Sequence, residues 1–363
     1  MPSLYIHIPF CAKKCAYCDF ASYAGRQDVE AEYIKAVLRE ADSYRGERLS
    51  TVFIGGGTPS LLSLDAAQTL LCGICERFDI EDGAEWTIEC NPDSVDREKL
   101  RLYREYGVNR ISLGAQASQE HLLRILGRIH TWNEAENAVK MAQAEGFANV
   151  NLDLMYALPT QTIAQWRETL ERAVALDIPH ISAYSLIWEE GTPLTRQMER
   201  GALSPCGEEE ALFMQHMAED FLKEAGLFRY EISNYAKKGF HSRHNMVYWT
   251  RGEYIGLGCA AHSLFRGARY RNADAIEEYM AGGIGREKTV LSLEDALEET
   301  VLLGTRTSEG IDLRAIEEKF GASLWERAKA LESMGYAALE GDILCLTQKG
   351  MDVHNAAVAR LLF

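Results

Sequence analysis

The sequence predicts an α/β fold: a partial barrel of six strand–helix units, followed by a C-terminal extension and a small helical tail domain with a wing. Six short apolar runs alternate with segments of helical periodicity. Polar or glycine-rich motifs follow several of these runs, and the pattern changes beyond Pro193. Repeated strand–helix alternation is typical of a parallel sheet wound by crossover helices, and a doubly wound sheet is the competing arrangement.

The runs expected to form strands are short and bounded by polar or turn residues. In chain order they are residues 4–8, 51–54, 86–90, 110–113, 151–155 and 180–185. Between them, residues 31–41, 66–78 and 163–175 have apolar side chains at three- and four-residue spacing, which indicates amphipathic helices. Because six units are fewer than a closed barrel of this type needs, the barrel is expected to stay open.

Three parts of the chain are expected: a partial barrel at 1–200, an extension of it at 201–290 and a helical, winged tail at 291–363. A helix around 208–225 and a short strand at 228–232 are predicted for the extension. In the tail, two short apolar runs are joined by Glu340-Gly341-Asp342. Turn residues of this kind between apolar runs favour a hairpin, which would form the wing.

Composition narrows the class of protein. The 363 residues carry 38 Lys and Arg against 54 Asp and Glu, a net charge of −16 that would repel nucleic acid. There is no run of about 18 apolar residues for a membrane span, and Lys13 and Lys14 follow the first apolar stretch directly, unlike a secretory signal. We therefore expect a cytoplasmic protein with reduced thiols, in which clustered cysteines bind a metal or act in redox chemistry.

Three cysteines form such a cluster. Cys11, Cys15 and Cys18 lie within eight residues, directly after the first predicted strand. They can converge only if the chain loops back around a common site, which favours a metal cluster, although iron–sulfur clusters normally take four thiolates. A zinc site lacking one ligand is the main alternative, and buried structural cysteines are another.

The segment around these cysteines resembles a known family signature. Its residues are Tyr5-Ile6-His7-Ile8-Pro9-Phe10-Cys11-x3-Cys15-x-Tyr17-Cys18-Asp19-Phe20. It is similar to the signature of the radical S-adenosylmethionine (SAM) superfamily, and more narrowly to the coproporphyrinogen dehydrogenase-like branch that includes the HemW heme chaperones. The resemblance implies a TIM-type radical SAM barrel, with a [4Fe-4S] cluster on the three cysteines and one iron left open for SAM.

Further motifs match positions that contact SAM in this family. Taken singly, each is better explained as a polar strand end that meets solvent or caps a helix, and the glycine-rich motif as an ordinary turn. The resemblance assigns this role to Tyr5, Tyr17, Gly56, Gly57, Thr58, Glu89, Gln116, Arg128 and Asp153. In such proteins the cluster supplies an electron that cleaves SAM, while protein groups orient the cofactor and exclude water.

Two features bear on the branch of the family. Coproporphyrinogen III dehydrogenases have a fourth cysteine two positions after the third, whereas this chain has Phe20. Conversely, His244-Asn245-x-x-Tyr248-Trp249 looks like the HNxxYW motif of the heme chaperones. Imidazole can ligate heme iron and aromatic rings can pack on a porphyrin, so His244, Tyr248 and Trp249 are candidate heme contacts and His244 a candidate axial ligand. From the residues alone, a capping or core histidine beside two core aromatic residues is the simpler interpretation.

The resemblance therefore implies a heme chaperone that binds heme and transfers it to acceptor apoproteins, with a reductant such as flavodoxin or ferredoxin. The alternative is an oxygen-independent coproporphyrinogen III oxidase of porphyrin biosynthesis, so whether the chain is an enzyme stays open. A zinc-binding interaction module is the third possibility.

Three departures from the expected patterns stand out. The segment Gly256-Leu257-Gly258-Cys259-Ala260-Ala261-His262 has Cys259 and two alanines where relatives tend to be richer in glycine, and Thr160 stands where glycine is usual. Cys259 is a candidate for an added heme or redox ligand, but a small packing residue is the preferred interpretation. Cys72 and Cys75 form a C-x-x-C, but they fall in an apolar helix pattern and are also expected to pack in the core.

Overall fold

A computed structural model describes residues 1–282 and 287–363. Its strands are β1 (Ser3–Ile8), β2 (Phe10–Cys11), β3 (Tyr23–Ala24), β4 (Arg48–Gly56), β5 (Asp79–Cys90), β6 (Arg110–Gln116), β7 (Asn149–Tyr156), β8 (His180–Ser185), β9 (Phe228–Glu231), β10 (Asn234–Ala236), β11 (Tyr254–Leu257), β12 (His262–Phe265), β13 (Ala268–Arg271), β14 (Glu287–Val290), β15 (Ile311–Asp312), β16 (Ala337–Glu340) and β17 (Ile343–Leu346).

The α-helices are α1 (Glu30–Ala41), α2 (Leu64–Arg77), α3 (Arg97–Glu105), α4 (Glu120–Ile125), α5 (Trp132–Ala144), α6 (Ile163–Val174), α7 (Pro193–Glu199), α8 (Glu208–Glu224), α9 (Arg243–Trp249), α10 (Ile276–Met280), α11 (Leu293–Gly304), α12 (Leu313–Phe320), α13 (Trp325–Ser333), α14 (Gln348–Asp352) and α15 (His354–Leu362). Single 3₁₀ turns lie at Gln27–Val29, Asp42–Tyr44 and Pro59–Leu61. None of the helices in the described ranges is both long and apolar enough to cross a bilayer.

One mixed sheet organises the molecule, with strand order β14-β13-β12-β11-β1-β4-β5-β6-β7-β8-β10-β9. The six predicted strands, β1 and β4 to β8, run parallel and follow one another in sequence order. A doubly wound sheet would reverse its strand order midway, so the alternative is wrong and the partial barrel is confirmed. Within the described residues the sheet ends at β14 and β9 and does not close.

The extension adds strands to both edges of this sheet. β10 pairs antiparallel with β8, and β9 lies outside it. At the other edge β11 pairs parallel with β1, and β12, β13 and β14 continue antiparallel. The sheet thus crosses the expected boundary near residue 200, and β11 is a seventh parallel strand that the sequence did not predict.

The two faces of the parallel strands differ in polarity. In β1, Leu4, Ile6 and Ile8 are fully buried in the main hydrophobic core under the helices. The intervening Tyr5 and His7 line a cavity on the opposite face. Because side chains alternate along a strand, the same arrangement repeats in neighbouring strands. The carboxyl ends of the parallel strands therefore present polar groups to one side of the sheet, where the site is expected.

The two cysteines of α2 were predicted to pack in the core, and this prediction is wrong. The buried residues of α2 include Ala67, Leu70 and Ile74, which face the core. Cys75 is exposed and Cys72 only half-buried, so these cysteines do not pack in the core. Cys259, by contrast, is fully buried beside the hydroxyl of Tyr33, as expected of a packing residue.

The tail has a hydrophobic core of its own, centred on Val301, Leu313, Leu331 and Leu344. β16 and β17 form an antiparallel hairpin, and β15 adds to its edge, which confirms the predicted wing. Glu299 of α11 pairs with Arg251 at 2.8 Å and thereby ties the tail to the barrel extension.

Candidate functional site

A cavity of about 340 Å³ lies at the carboxyl ends of the parallel strands. Most of the residues predicted as a cofactor site line it together: Cys11, Cys15, Tyr17, Cys18, Gly56, Gly57, Thr58, Glu89, Gln116, Arg128 and Asp153. Asn91, Ser112 and Tyr184 also line this cavity and were not predicted. Each is a polar residue in or directly after a strand, and that position was the signal available in the sequence.

The cysteine loop is held by main-chain contacts. Cys11 ends β2, which pairs with β3 and so closes the loop at its base. Halfway round, the amide of Ala16 donates to the carbonyl of Leu126 at 2.8 Å, and the Ala16 carbonyl accepts from the amide of Leu194 at 2.8 Å. These bonds fix the loop over the carboxyl end of the sheet.

Burial raises the pKa of Cys11 and Cys18, which disfavours their thiolates until a cation binds. The hydroxyl of Thr58 lies 3.7 Å from the sulfur of Cys11. Within residues 1–282 and 287–363, no three His, Cys, Asp or Glu side chains converge closely enough to share a single metal ion.

The glycine-rich turn after β4 packs against the start of this loop. The amides of Gly57 and Thr58 donate to the carbonyls of Ile8 and Phe10, each at 2.8 Å. Gly56 has a φ of +106°, a conformation that favours glycine. Its amide donates to a carboxylate oxygen of Glu89 at 3.0 Å, so the turn and the end of β5 are joined.

Two buried carboxyl groups face this cavity. Burial and the nearby charge of Asp153 raise the pKa of Glu89 to about 7. Burial also raises the pKa of Asp153, although the hydrogen bonds it accepts from Ser182 and Asn151 oppose the shift. Two acidic groups that are costly to ionise together suit a ligand that brings positive charge.

Arg128 connects the carboxyl ends of several strands to the cysteine loop. Its guanidinium donates to the carbonyl of Gly114 at 2.5 Å, to the amide oxygen of Asn91 at 2.9 Å and to the sulfur of Cys15 at 3.4 Å. Its buried Nε has no hydrogen-bond partner among the described residues. An unpaired buried donor at the wall of a cavity is a group that a bound ligand can satisfy.

A second cavity, of about 470 Å³, adjoins the first. Phe20, Gly56 and Glu89 line both cavities. The remaining wall is mainly aromatic and imidazole side chains: Tyr5, His7, Phe53, His244, Tyr248, Tyr254 and His262. Tyr5, predicted to contact SAM, thus lies in this second cavity.

His244 is firmly held in the wall of the second cavity. Its Nδ1 lies 2.7 Å from the hydroxyl of Thr51, and its Nε2 lies 2.8 Å from the hydroxyl of Tyr248. The ring stacks on Phe53 with 5.1 Å between centroids. Burial lowers the pKa of His244 to about 3, so the imidazole is neutral at ordinary pH.

The three predicted heme contacts do not share one environment. His244 and Tyr248 line the second cavity. Trp249 does not; its ring lies 4.9 Å from the guanidinium of Arg306, at the side facing the tail. The HNxxYW segment therefore connects the second cavity to the tail.

Comparison with known proteins agrees with this architecture. The model of the Radical SAM superfamily matches residues 5–173, and that of the HemN C-terminal domain matches residues 291–353. The solved structure of coproporphyrinogen III oxidase (HemN) from Escherichia coli, described as a radical SAM enzyme, superposes with a TM-score of 0.87. That match covers 99% of this chain and 90% of that chain at 21% identity, which supports the fold.

Sequence relatives narrow the family. The chain is 34% identical to the heme chaperone HemW of Lactococcus lactis over 99% of this chain and 97% of the relative. It is 43% identical to the heme chaperone HemW of Escherichia coli over 72% of this chain and 69% of the relative. The chain therefore belongs to the HemW family of the radical SAM superfamily.

Proposed function

We propose that this chain is a heme chaperone, which binds heme and transfers it to acceptor proteins, and which carries a [4Fe-4S] cluster and SAM. The observation that carries the proposal is the aromatic, imidazole-lined cavity that adjoins the cavity of the three cysteines. The relatives support the same proposal, because proteins named heme chaperone match this sequence over most of its length.

The first cavity fits a cluster and SAM. Cys11, Cys15 and Cys18 would hold the cluster. In a [4Fe-4S] cluster each cysteine binds a different iron, so the sulfurs do not need to meet at one ion. A cluster with three protein ligands leaves one iron for SAM, and the cluster would supply the electron for SAM cleavage.

Protein groups around the cluster would bind and orient SAM, which carries positive charge at its sulfonium and ammonium groups. Glu89 and Asp153 supply negative charge in a buried setting. The Nε of Arg128, which has no hydrogen-bond partner within residues 1–282 and 287–363, is a donor for an acceptor atom of the ligand. Tyr17, Gly56, Gly57, Thr58 and Gln116 complete the proposed SAM contacts in this cavity, and Tyr5 lies next to it.

The second cavity fits a flat, largely apolar ligand. Its volume of about 470 Å³ lies within the range of small-molecule sites, which are mostly apolar with a few polar groups that fix orientation. The rings of Phe20, Tyr248 and Tyr254 offer surfaces on which a porphyrin can pack. Trp249 lies against Arg306, so its contribution to heme binding is expected to be indirect.

We further propose a cytoplasmic location, heme-accepting apoproteins as partners, and an electron donor such as flavodoxin or ferredoxin. Phe20 and Ile187 support a surface for partners near the site, because both line the first cavity and remain 62% and 67% exposed. Exposed large apolar side chains around a functional cavity are typical of contact surfaces.

Heme and coproporphyrinogen assays run side by side on one anaerobically reconstituted sample test the proposal. We expect tight binding of heme with a shifted Soret band, transfer of the heme to an apoprotein, and no conversion of coproporphyrinogen to protoporphyrinogen. Turnover of coproporphyrinogen without heme binding would overturn the proposal in favour of an oxidase. Zinc without labile sulfide in the purified protein would favour a zinc-binding module instead.

A further inference from the structure

Three histidines line the second cavity, and they differ in whether a ring nitrogen is free to bind iron. His7 is hydrogen-bonded at both nitrogens, by the hydroxyl of Tyr5 at 3.0 Å and the carbonyl of Ala21 at 2.8 Å. His244 is likewise engaged at both nitrogens, by Thr51 and Tyr248. Neither ring nitrogen of His262 has a hydrogen-bond partner in the part of the chain that the structure describes. Only His262 among the three can therefore offer a lone pair without breaking an existing bond.

The position of His262 suits a ligand that enters from solvent. It begins β12, at the edge of the sheet where the parallel strands end, and it is exposed while also lining the cavity. His7 and His244 are buried deeper, with 6% and 1% of their surfaces accessible. His262 thus stands at the mouth of the cavity and His244 in its wall.

A glycine lies beside His262 on the neighbouring strand. Tyr5 of β1 is in register with Gly256 of β11, and an added side chain at Gly256 would collide with the main-chain carbonyl of His262. In this row of neighbouring strands, Gly256 therefore leaves the space between Tyr5 and His262 without a side chain. Arg271 is the cross-strand partner of His262 on β13.

We propose that His262 supplies the iron ligand for heme in the second cavity, with His244 held by Thr51 and Tyr248 as part of the wall. This inference rests on the proposed heme-chaperone function and assigns its metal ligand. Iron binds the neutral form of imidazole. Partial desolvation at the cavity mouth and the nearby Arg271 and Arg269 lower the pKa of His262, so the neutral form is favoured.

Phe20 gives the bound ring a second contact. Its side chain is 62% exposed and lies between the cysteine cavity and the second cavity. A porphyrin ligated by His262 would share this cavity with Phe20, which also lines the cavity of the cysteines. This is the position at which the coproporphyrinogen dehydrogenases have a cysteine.

Heme titrations of the full, cluster-loaded chain test the assignment. The variants are His262→Ala and, as a matched control, His121→Ala, since His121 is a half-buried histidine of α4 that lines neither cavity. We expect His262→Ala to weaken heme binding at least about tenfold and to change the Soret and EPR signature of the ferric heme. Added free imidazole should restore the wild-type spectrum in His262→Ala, and His121→Ala should match the wild type.

The outcomes separate the ligand assignment from the function itself. A wild-type chain that binds no heme overturns the heme-chaperone proposal. A wild type that binds heme, together with a His262→Ala variant of unchanged affinity and spectrum, overturns only the assignment of His262. Circular dichroism and cluster absorbance check that the variant is folded, which its exposed position at the cavity mouth favours.

Discussion

The guanidinium of Arg128 lies 3.4 Å from the sulfur of Cys15 and also donates to the carbonyl of Gly114, so it joins the end of β6 to the cysteine loop. Hydrogen bonds and positive charge near cluster sulfurs raise the reduction potential, because they stabilise the additional electron. We expect Arg128→Met to lower the potential of the cluster on the order of 50 mV, close to a tenfold change in a one-electron equilibrium. An EPR-monitored redox titration measures this shift.

Arg124 provides the control for this variant. It lies in α4, four residues before Arg128, but is exposed, and its ion-pair partner among the described residues is Glu120, at 3.6 Å. Arg124→Met should leave the potential unchanged. Equal potentials for Arg128→Met and the wild type would show that Arg128 does not act on the cluster.

Gly56 has no room for a side chain. Its φ is +106°, and an added Cβ would collide with the imidazole of His7. We expect Gly56→Ala to reduce the free energy of unfolding by about 3 kcal/mol, the sum of backbone strain and overpacking, and to abolish SAM binding. Chemical denaturation and SAM titration measure the two effects.

Gly107→Ala separates the two causes. Gly107 has a φ of +94°, but the nearest atom to an added Cβ, on Trp86, is 3.9 Å away. This variant should therefore show only the backbone penalty, about 1–2 kcal/mol, and keep SAM affinity. A Gly56→Ala variant no less stable than Gly107→Ala would contradict the close packing of Gly56 on His7.

Glu89 should make SAM binding depend on pH. The pKa of Glu89 is raised to about 7, so protons compete with a cationic ligand below that pH. We expect SAM affinity to rise as the pH increases from about 6 to 8 and then to level off, by at most roughly tenfold per pH unit. Calorimetric titration across this range would reveal the dependence.

The Glu89→Gln variant keeps an oxygen for the amide of Gly56 but cannot ionise. Its SAM affinity should be lower and should not rise between about pH 6 and 8.

The stability of the ligand-free protein should change with pH in the opposite direction to SAM affinity. Because the folded-state pKa of Glu89 is raised, its contribution to stability is present at low pH and lost as the pH rises through about 7. Flat profiles for both proteins would refute a buried, titrating Glu89.

Thr160 and Ala260 are strained by their backbone conformation. Their φ values are +68° and +57°, where non-glycine residues are disfavoured. We expect Thr160→Gly and Ala260→Gly each to raise the free energy of unfolding by about 0.5–1 kcal/mol, after allowing for the larger unfolded-state entropy of glycine. Ala330→Gly, at an exposed position inside α13, should instead lower it by about 1 kcal/mol. A change of the free energy of unfolding in the same direction in all three variants would contradict the strain assigned to Thr160 and Ala260.

Sequence reasoning located the barrel and the cysteine site because both depend on local patterns. The six core strands are short apolar runs, and strands such as β1 are buried beneath helices on one face. Parallel strands bring their carboxyl ends to one edge, so polar residues after separate strands could be assigned to one site.

What the sequence did not reveal depends on distant pairing. β11 pairs with β1, which lies about 250 residues earlier in the chain. Gly252 and Gly258 flank the short β11, so its sequence pattern resembles a loop as much as a strand. The separation of Trp249 from His244 was also hidden, because it depends on the position of Arg306 in the tail. That the ring nitrogens of His262 find no partner in the described part of the chain depends on which hydrogen bonds form in three dimensions, and no local motif encodes that.

The iron and labile sulfide content of cysteine variants tests the central claim most directly. Cys11, Cys15 and Cys18 line the cavity, whereas Cys72 and Cys75 lie on the outer side of α2 and serve as controls. After anaerobic reconstitution, we expect alanine at any of the first three positions to reduce the content of iron and sulfide strongly, and alanine at Cys72 or Cys75 to leave it at the wild-type level. Unchanged iron and sulfide in a variant lacking Cys11, Cys15 and Cys18 together would contradict the account.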